Sequence, residues 1–267
     1  MKISVAQIHP VIGNPVQTID NVAELSRQAA KEGSRLIAFA ECLLTGGSFD
    51  SREDLEKGAI SIDALNPLLE VAAETGIHIV VGFYEQYADS IFNTAALLGP
   101  KGIIGLHRKR HLPFMIGDRF TDRPAEWTPP VFDTEIGRIG LAICYEIRFP
   151  EVVRTLALEG ADIVVLPAAW PEQARLLPDI FSNVRAAENI VYFVASNRND
   201  MDGGMQFIGM SHIIEPSGQT LIRAGQEDGI FSVDIDLEKA RNKSLIRDPG
   251  VFEIHPFRDR LPETYRL

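Results

Sequence analysis

Strand-length runs that are apolar on both faces recur in each half of this 267-residue chain, and helix-patterned stretches separate them. Residues 36–40, 78–83, 163–166 and 191–195 contain almost nothing polar. A strand turns alternate side chains to its two faces, so each such run needs cover on both sides. The intervening segments provide one cover. Val22, Leu25 and Ala29 recur at helical spacing before Gly33. Further helices are expected over about 65–75 before Gly76, about 150–158 before Gly160, and about 177–189. With helices on one face, the other face calls for a second sheet. The halves also share a cadence, Gly33-Ser34-Arg35-Leu36-Ile37-Ala38-Phe39-Ala40-Glu41 against Gly160-Ala161-Asp162-Ile163-Val164-Val165-Leu166-Pro167-Ala168. The expected fold is therefore α/β, a four-layer α-β-β-α sandwich of two mixed sheets built alike. Its antiparallel members come from hairpin patterns. One spans 93–107 with a three-to-five-residue loop around Gly99-Pro100-Lys101-Gly102, and others involve 211–214, 220–223 and 230–235.

No linker, low-complexity stretch or short-period repeat interrupts this alternation, so residues 1–243 read as a single domain. Beyond Ser244 the prolines Pro249, Pro256 and Pro262 break any periodicity, yet Val251, Phe252, Ile254 and Phe257 are costly to leave in water. Residues 244–267 are expected to form an extended arm packed on a partner subunit. The net charge of −11 argues against general binding to nucleic acid, which needs a basic face. No apolar run has the length of a membrane span, and the chain goes straight into the strand pattern of 2–8. Cys42 and Cys144 give no disulfide framework and suit a reducing compartment, so a cytoplasmic protein without membrane or nucleic-acid partners is expected.

Cys144 ends one of the strongest strand patterns. Ile139, Leu141 and Ile143 alternate before it, and Phe149-Pro150-Glu151 opens a helix behind it. Strand-to-loop junctions of this kind are where α/β proteins keep their chemistry, and a cysteine there fits either an inert buried thiol or a nucleophile. Cys42 adjoins Glu41; on an extended segment the two side chains point to opposite faces, which makes Cys42 structural. His107 and His111 stand four apart, which on a helix would suit a metal. Here the segment reads as strand and loop, and His111 is assigned to shaping that loop.

Three short runs converge on one chemistry: Phe39-Ala40-Glu41, His107-Arg108-Lys109-Arg110-His111-Leu112-Pro113, and Ile143-Cys144-Tyr145-Glu146. They resemble the glutamate, lysine and cysteine motifs of the nitrilase superfamily of carbon–nitrogen hydrolases. The resemblance extends over nearly the whole chain through Arg148-Phe149-Pro150-Glu151, Pro167-Ala168-Ala169-Trp170, Arg185-Ala186-Ala187-Glu188-Asn189 and Gly209-Met210-Ser211. It implies that Cys144 attacks the carbon and that Glu41 moves the protons. Lys109, with the Tyr145 backbone N–H, would hold the oxyanion. Only this resemblance picks Lys109 out of the basic run Arg108-Lys109-Arg110.

A second acidic group usually follows the lysine. Asp118 is the nearest candidate here and Glu126 the reserve. The chain departs from the pattern at Ala40, where proline is usual, and at Gly47, where an aromatic is usual; the second change is expected to enlarge or loosen the acyl pocket. Phe114, Tyr145, Trp170 and Glu172 are the candidate pocket residues. Arg148 and Glu188 are assigned to helices that build a dimer interface, and a homodimer is the minimum expected assembly. The implied reaction is hydrolysis of a small non-peptide carbon–nitrogen bond, foremost a carboxamide to acid plus ammonia through a cysteine thioester, with no metal or cofactor. True nitrilase and N-carbamoyl hydrolase activities use the same three residues. A non-catalytic metabolite-binding or interaction protein is the alternative of another class, and the intact Glu41, Lys109 and Cys144 stand against it.

Overall fold

The computed structural model describes residues 1–265, so the last two residues of the expected 244–267 arm lie outside the described residues. The first half of the chain lays down β1 (Lys2–Gln7), α1 (Pro15–Lys31), β2 (Ser34–Ala38), the short α2 (Arg52–Gly58), α3 (Asn66–Thr75), β3 (His78–Tyr87), β4 (Ser90–Gly99) and β5 (Gly102–Arg108). The second half adds β6 (Val131–Thr134), β7 (Gly137–Leu141), α4 (Pro150–Leu158), β8 (Ile163–Ala168), α5 (Ser182–Asn189), β9 (Tyr192–Asn197), a small hairpin of β10 (Met201–Asp202) and β11 (Met205–Gln206), β12 (His212–Ile214), β13 (Thr220–Arg223) and β14 (Gly229–Asp234). After α6 (Glu238–Arg241), the strands β15 (Leu245–Asp248) and β16 (Phe252–Ile254) form a separate hairpin.

Helix boundaries follow local chemistry. Proline at the first position of α1 forfeits no hydrogen bond, and the Asn14 side chain accepts from Gln17 N–H. Gly76 ends α3 in the left-handed conformation at φ +75°.

The strands assemble into two six-stranded sheets, ordered β14-β1-β2-β3-β4-β5 and β13-β12-β9-β8-β7-β6. Taken from β14 and from β6 respectively, both sheets run antiparallel, parallel, parallel, antiparallel, antiparallel. The repeated cadence thus corresponds to a repeated topology in which β2 and β8 hold the same place. The first sheet is closed by β14, which arrives from the far end of the domain. The β4–β5 connection is tighter than expected: only Pro100 and Lys101 separate the strands, because pairing runs through to Gly99 and Gly102.

Side-chain alternation makes the layers. Ile3, Val5, Leu36 and Val80 point inward to meet Leu141, Ile163, Val165 and Val194 of the other sheet. Ile37, Ile79 and Val81 point outward against Val22 of α1 and Leu68 and Val71 of α3, while Val164 and Leu166 face Val153 of α4 and Ala186 of α5. Burying one such aliphatic side chain is worth roughly 1.5–3 kcal/mol, so slipping any central strand by one residue would reverse the whole set at once. No described helix is long and apolar enough to cross a membrane.

The tail departs in part from the sequence reading. It is structured as the β15–β16 hairpin, and Phe257 packs back on its own chain, beneath the Arg154 guanidinium and the Lys243 ammonium. Val251, Phe252 and Ile254 are exposed.

Candidate active site

Three strand ends deliver the three side chains. Past β2, Phe39 N–H donates to Val80 O at 2.8 Å, and Glu41 N–H donates to Ala168 O at 3.2 Å. Since β2 and β8 are equivalent strands, the two halves of the repeat meet at the glutamate. The turn of Glu41 presses directly onto β3: a Cβ at Gly82 would come within 2.7 Å of Ala40 O and 2.8 Å of Glu41 Cα, so only glycine fits there. Lys109 is the first residue past β5, its N–H donating to Asn93 O at 2.8 Å. β7 ends at Leu141, and Cys144 opens a 3-10 turn, Cys144–Arg148, with φ +43°. The strand pattern ran beyond the actual strand because Ile143 stays buried and extended without pairing.

Glu41, Lys109 and Asp118 are each no more than 2% exposed and form one ion cluster. Lys109 Nζ donates to Glu41 Oε1 at 2.6 Å and to Asp118 Oδ2 at 2.5 Å. Asn93 Nδ2 donates to the same Glu41 Oε1 at 2.8 Å and to Asp118 Oδ1 at 2.7 Å. Glu41 Oε2 is buried with no partner among the described residues. Burial opposes the charge on Lys109, but Asp118 and Glu41 more than reverse it and hold the ammonium protonated well above its ordinary range. Burial, opposed by Lys109 and abetted by Glu41, pushes the Asp118 carboxyl up.

Cys144 shares this cavity. Burial and then the charge of Glu41 push its thiol well up, while Lys109 and the Ala169 N–H work toward the thiolate. On balance these surroundings favour the thiol over the thiolate, in the same cavity as the Glu41 carboxyl. The Tyr145 N–H, in the first turn of the 3-10 helix, makes no backbone hydrogen bond among the described residues.

The cavity of about 300 Å³ contains Glu41, Lys109, Asp118 and Cys144, and Met115, Ile116, Pro171, Ala174, Leu177 and Met205 make it largely apolar. Tyr145 and Trp170 belong to its wall. Phe114 does not: it is 90% exposed, and its neighbours Met115 and Ile116 line the cavity instead. Glu172 is exposed as well, and Gln173 takes the wall position. Glu126 is exposed and lies on a separate cavity, leaving Asp118 as the second acidic group at Lys109. Arg148 sits on the 3-10 turn, not on a helix, and brings an exposed guanidinium to the cavity, while Glu188 pairs with Arg185 on α5 as a structural residue.

Gly47 does not open the pocket. A Cβ there would lie 2.9 Å from the Arg198 guanidinium, which is fully buried against Asp200 and Asp202 and fills the space an aromatic side chain would need. Cys42 lies outside the cavity wall, buried beside Tyr84, but on a left-handed turn at φ +51° and not on an extended segment. Asn93 escaped the sequence reading. Its signal was a lone amide within the apolar run Ile91-Phe92-Asn93-Thr94-Ala95-Ala96, a position that calls for buried partners.

A buried carboxylate with one free oxygen, a thiol and a pair of donors around one small apolar cavity can transfer an acyl group. The profile of a family described as carbon-nitrogen hydrolase matches residues 2–243. The nitrilase of Pyrococcus abyssi is 34% identical over 271 residues, covering 99% of each chain. The omega-amidase of Bos taurus is 32% identical over 238 residues, covering 84% of each. Among solved structures, a glutamate-to-glutamine mutant of the amidase from Nesterenkonia sp. AN1 matches with a TM-score of 0.78 and 25% identity, over 90% of this chain and 92% of that one. That structure carries the acetamide moiety of fluoroacetamide added covalently at the active-site cysteine.

Proposed function

Within the carbon–nitrogen hydrolase family, to which this chain belongs, we propose that it hydrolyses a small carboxamide to a carboxylic acid and ammonia through a thioester on Cys144. The observation that carries the reading is the division of labour at Glu41: Oε1 is held by Lys109 and Asn93, and among the described residues Oε2 is left without a partner in the cavity that holds Cys144.

Glu41 Oε2 takes the thiol proton as Sγ attacks the carbonyl carbon. The oxyanion is held by the Lys109 ammonium and the Tyr145 N–H. Protonated Glu41 then gives its proton to the nitrogen, the C–N bond breaks, and ammonia leaves the thioester behind. Water enters, Glu41 takes one of its protons, and the hydroxyl adds to the thioester carbon. Collapse releases the acid, and the sulfur recovers the proton from Glu41. Asp118 and Asn93 do not touch the reacting atoms; they keep Lys109 and Glu41 in place between attack and collapse.

Arg148 supports a narrower class. Among the described residues it is the one cation besides Lys109 on the cavity wall, and Lys109 is already matched by two carboxylates. An acyl chain ending in a carboxylate suits that guanidinium, which is what an omega-amide presents.

Ammonia release across short aliphatic, aromatic and omega-amides, nitriles and N-carbamoyl compounds tests the reading, with mass spectrometry of the intact protein. Turnover of amides with an acyl adduct that disappears in Cys144→Ala is the expected result. Preference for nitriles or N-carbamoyl compounds would move the substrate class, and binding without adduct or turnover would replace the enzyme by a metabolite-binding protein.

The assembly we propose is a homodimer in which the exposed Val251, Phe252 and Ile254 of the tail, with the Leu176, Ile180 and Val184 stripe leading into α5, are covered by a second copy. Light scattering on wild-type protein and on Val251→Asp tests it; a monomeric wild type would overturn it.

A further inference from the structure

The two histidines that the sequence analysis set aside as a metal pair converge instead on one carboxylate. Glu146, two residues past Cys144, is 1% exposed, and its oxygens accept four hydrogen bonds. Oε2 accepts from Ile143 N–H at 2.9 Å and from His107 Nε2 at 2.6 Å; Oε1 accepts from Arg110 N–H at 3.1 Å and from His111 Nδ1 at 3.3 Å. These donors belong to the two segments that must stay in register. Ile143 immediately precedes the nucleophile, and Arg110 immediately follows Lys109. Among the described residues, every hydrogen bond between 107–111 and 143–148 runs through Glu146.

The turn it closes is strained. Cys144 sits at φ +43°, a conformation that is unfavourable for an L-residue and persists only where neighbours over-determine it. Glu146 does so by folding back to the N–H of Ile143. Burial works against its ionised form, but the charge and hydrogen bond of His107, with His111 and the Ile143 N–H, reverse this and hold the carboxyl far below its usual range. Glu146 lies off the catalytic cavity. It borders a separate, larger cavity of about 560 Å³, lined also by Arg110, Trp127, Phe149 and Glu151.

We propose that Glu146, with His107 as its anchoring partner, is a positioning residue that locks the Cys144–Tyr145 turn to the lysine-bearing end of β5. Sγ, the Tyr145 N–H and Lys109 Nζ then keep one geometry around the acyl carbon. The inference rests on Cys144 as the nucleophile proposed above. It assigns to a buried polar cluster, remote from substrate, the alignment of nucleophile and oxyanion donors. A 1 Å misplacement of such groups can cost about a hundredfold in rate.

Glu146→Gln tests this, because an amide of the same shape offers one acceptor oxygen where four donors point. In folded protein, kcat on the best amide should fall about a hundredfold with KM within about threefold, and alkylation of Cys144 by iodoacetamide should slow about tenfold. Alkylation needs no knowledge of the substrate. A merely structural carboxylate would lower the melting temperature and leave kcat and alkylation per folded molecule unchanged, which would overturn the proposal while wild-type turnover kept the enzyme reading intact. If Glu146→Gln does not fold, His107→Leu serves: it leaves Glu146 in place, and a drop in kcat of about tenfold at constant KM is expected. Full activity of folded His107→Leu would overturn the assignment.

Discussion

Replacing Asp118 by asparagine should cut kcat by thirty- to two-hundredfold while leaving the fold intact. Lys109 Nζ touches Asp118 Oδ2 at 2.5 Å and Glu41 Oε1 at 2.6 Å, so these two oxygens are no more than about 5 Å apart. Asp118 leads the groups that hold the Lys109 ammonium protonated, and with an effective dielectric of about 20 a carboxylate charge about 4 Å from it is worth about 4 kcal/mol of attraction. Asparagine removes that charge and, among the described residues, leaves Glu41 as the one carboxylate hydrogen-bonded to Lys109. It also removes one charge-assisted hydrogen bond, worth roughly 1.5–3 kcal/mol, so Lys109 is held less firmly for the oxyanion. These losses overlap and reach the barrier only in part, which gives about 2–3 kcal/mol at the transition state, or thirty- to two-hundredfold at about 1.36 kcal/mol per decade. Stability should fall by about 1.5–3 kcal/mol, the worth of that hydrogen bond, without loss of the fold, because Lys109 keeps Glu41 and the buried amide keeps Asn93 within reach. The assay is ammonia release under saturating amide, with a thermal melt of the same preparation. A folded Asp118→Asn with kcat within threefold of wild type would refute the reasoning, since Lys109 would then need no second carboxylate.

Three other perturbations test separate parts of the structure. Gly82→Ala places a Cβ 2.7–2.8 Å from backbone atoms of Ala40, Glu41 and Cys42, none of which can swing aside, so about 1–3 kcal/mol of stability and most of the activity should be lost together in urea titration and turnover. Arg148→Ala should raise KM for omega-amides at least tenfold and leave neutral amides of similar length unchanged; equal effects on both would detach Arg148 from substrate. His212 is buried under Trp170, and burial lowers its pKa from 6.5 to about 4. The unfolded chain therefore takes up the proton first, and stability present above pH 6.5 should decline by about 3 kcal/mol as pH falls to about 4. Urea unfolding at intervals across that window should show the slope in wild type and a shallower one in His212→Gln; identical slopes would reject His212 as the cause.

The apolar strands ahead of Glu41 and Cys144 were legible from local period and length, which placed both residues at strand ends; their chemical roles came only with the resemblance. Lys109 was legible only through resemblance, since nothing in Arg108-Lys109-Arg110 separates a buried ammonium from solvated neighbours. In the fold the separation is plain: Lys109 is 1% exposed, while Arg108 and Arg110 are only part-buried. Phe114 and Glu172 were misassigned for a related reason. Their loops do border the cavity, but which residue of a loop turns inward depends on backbone turns that carry no periodicity, and in both loops a neighbour does so instead.

The sequence by itself determined the layering. Runs apolar on both faces, flanked by one-sided helices and repeated in two halves, admit few arrangements other than two sheets face to face, because the period of burial is written residue by residue. The tertiary structure alone decided which polar groups meet. It chose Asp118 over Glu126, brought Asn93 between two carboxylates, gave the space beside Gly47 to Arg198, and turned His107 and His111 toward Glu146. Such contacts join residues from strands and loops far apart in the chain. Strand register and loop path fix them to within an ångström, and neither is encoded in any local pattern.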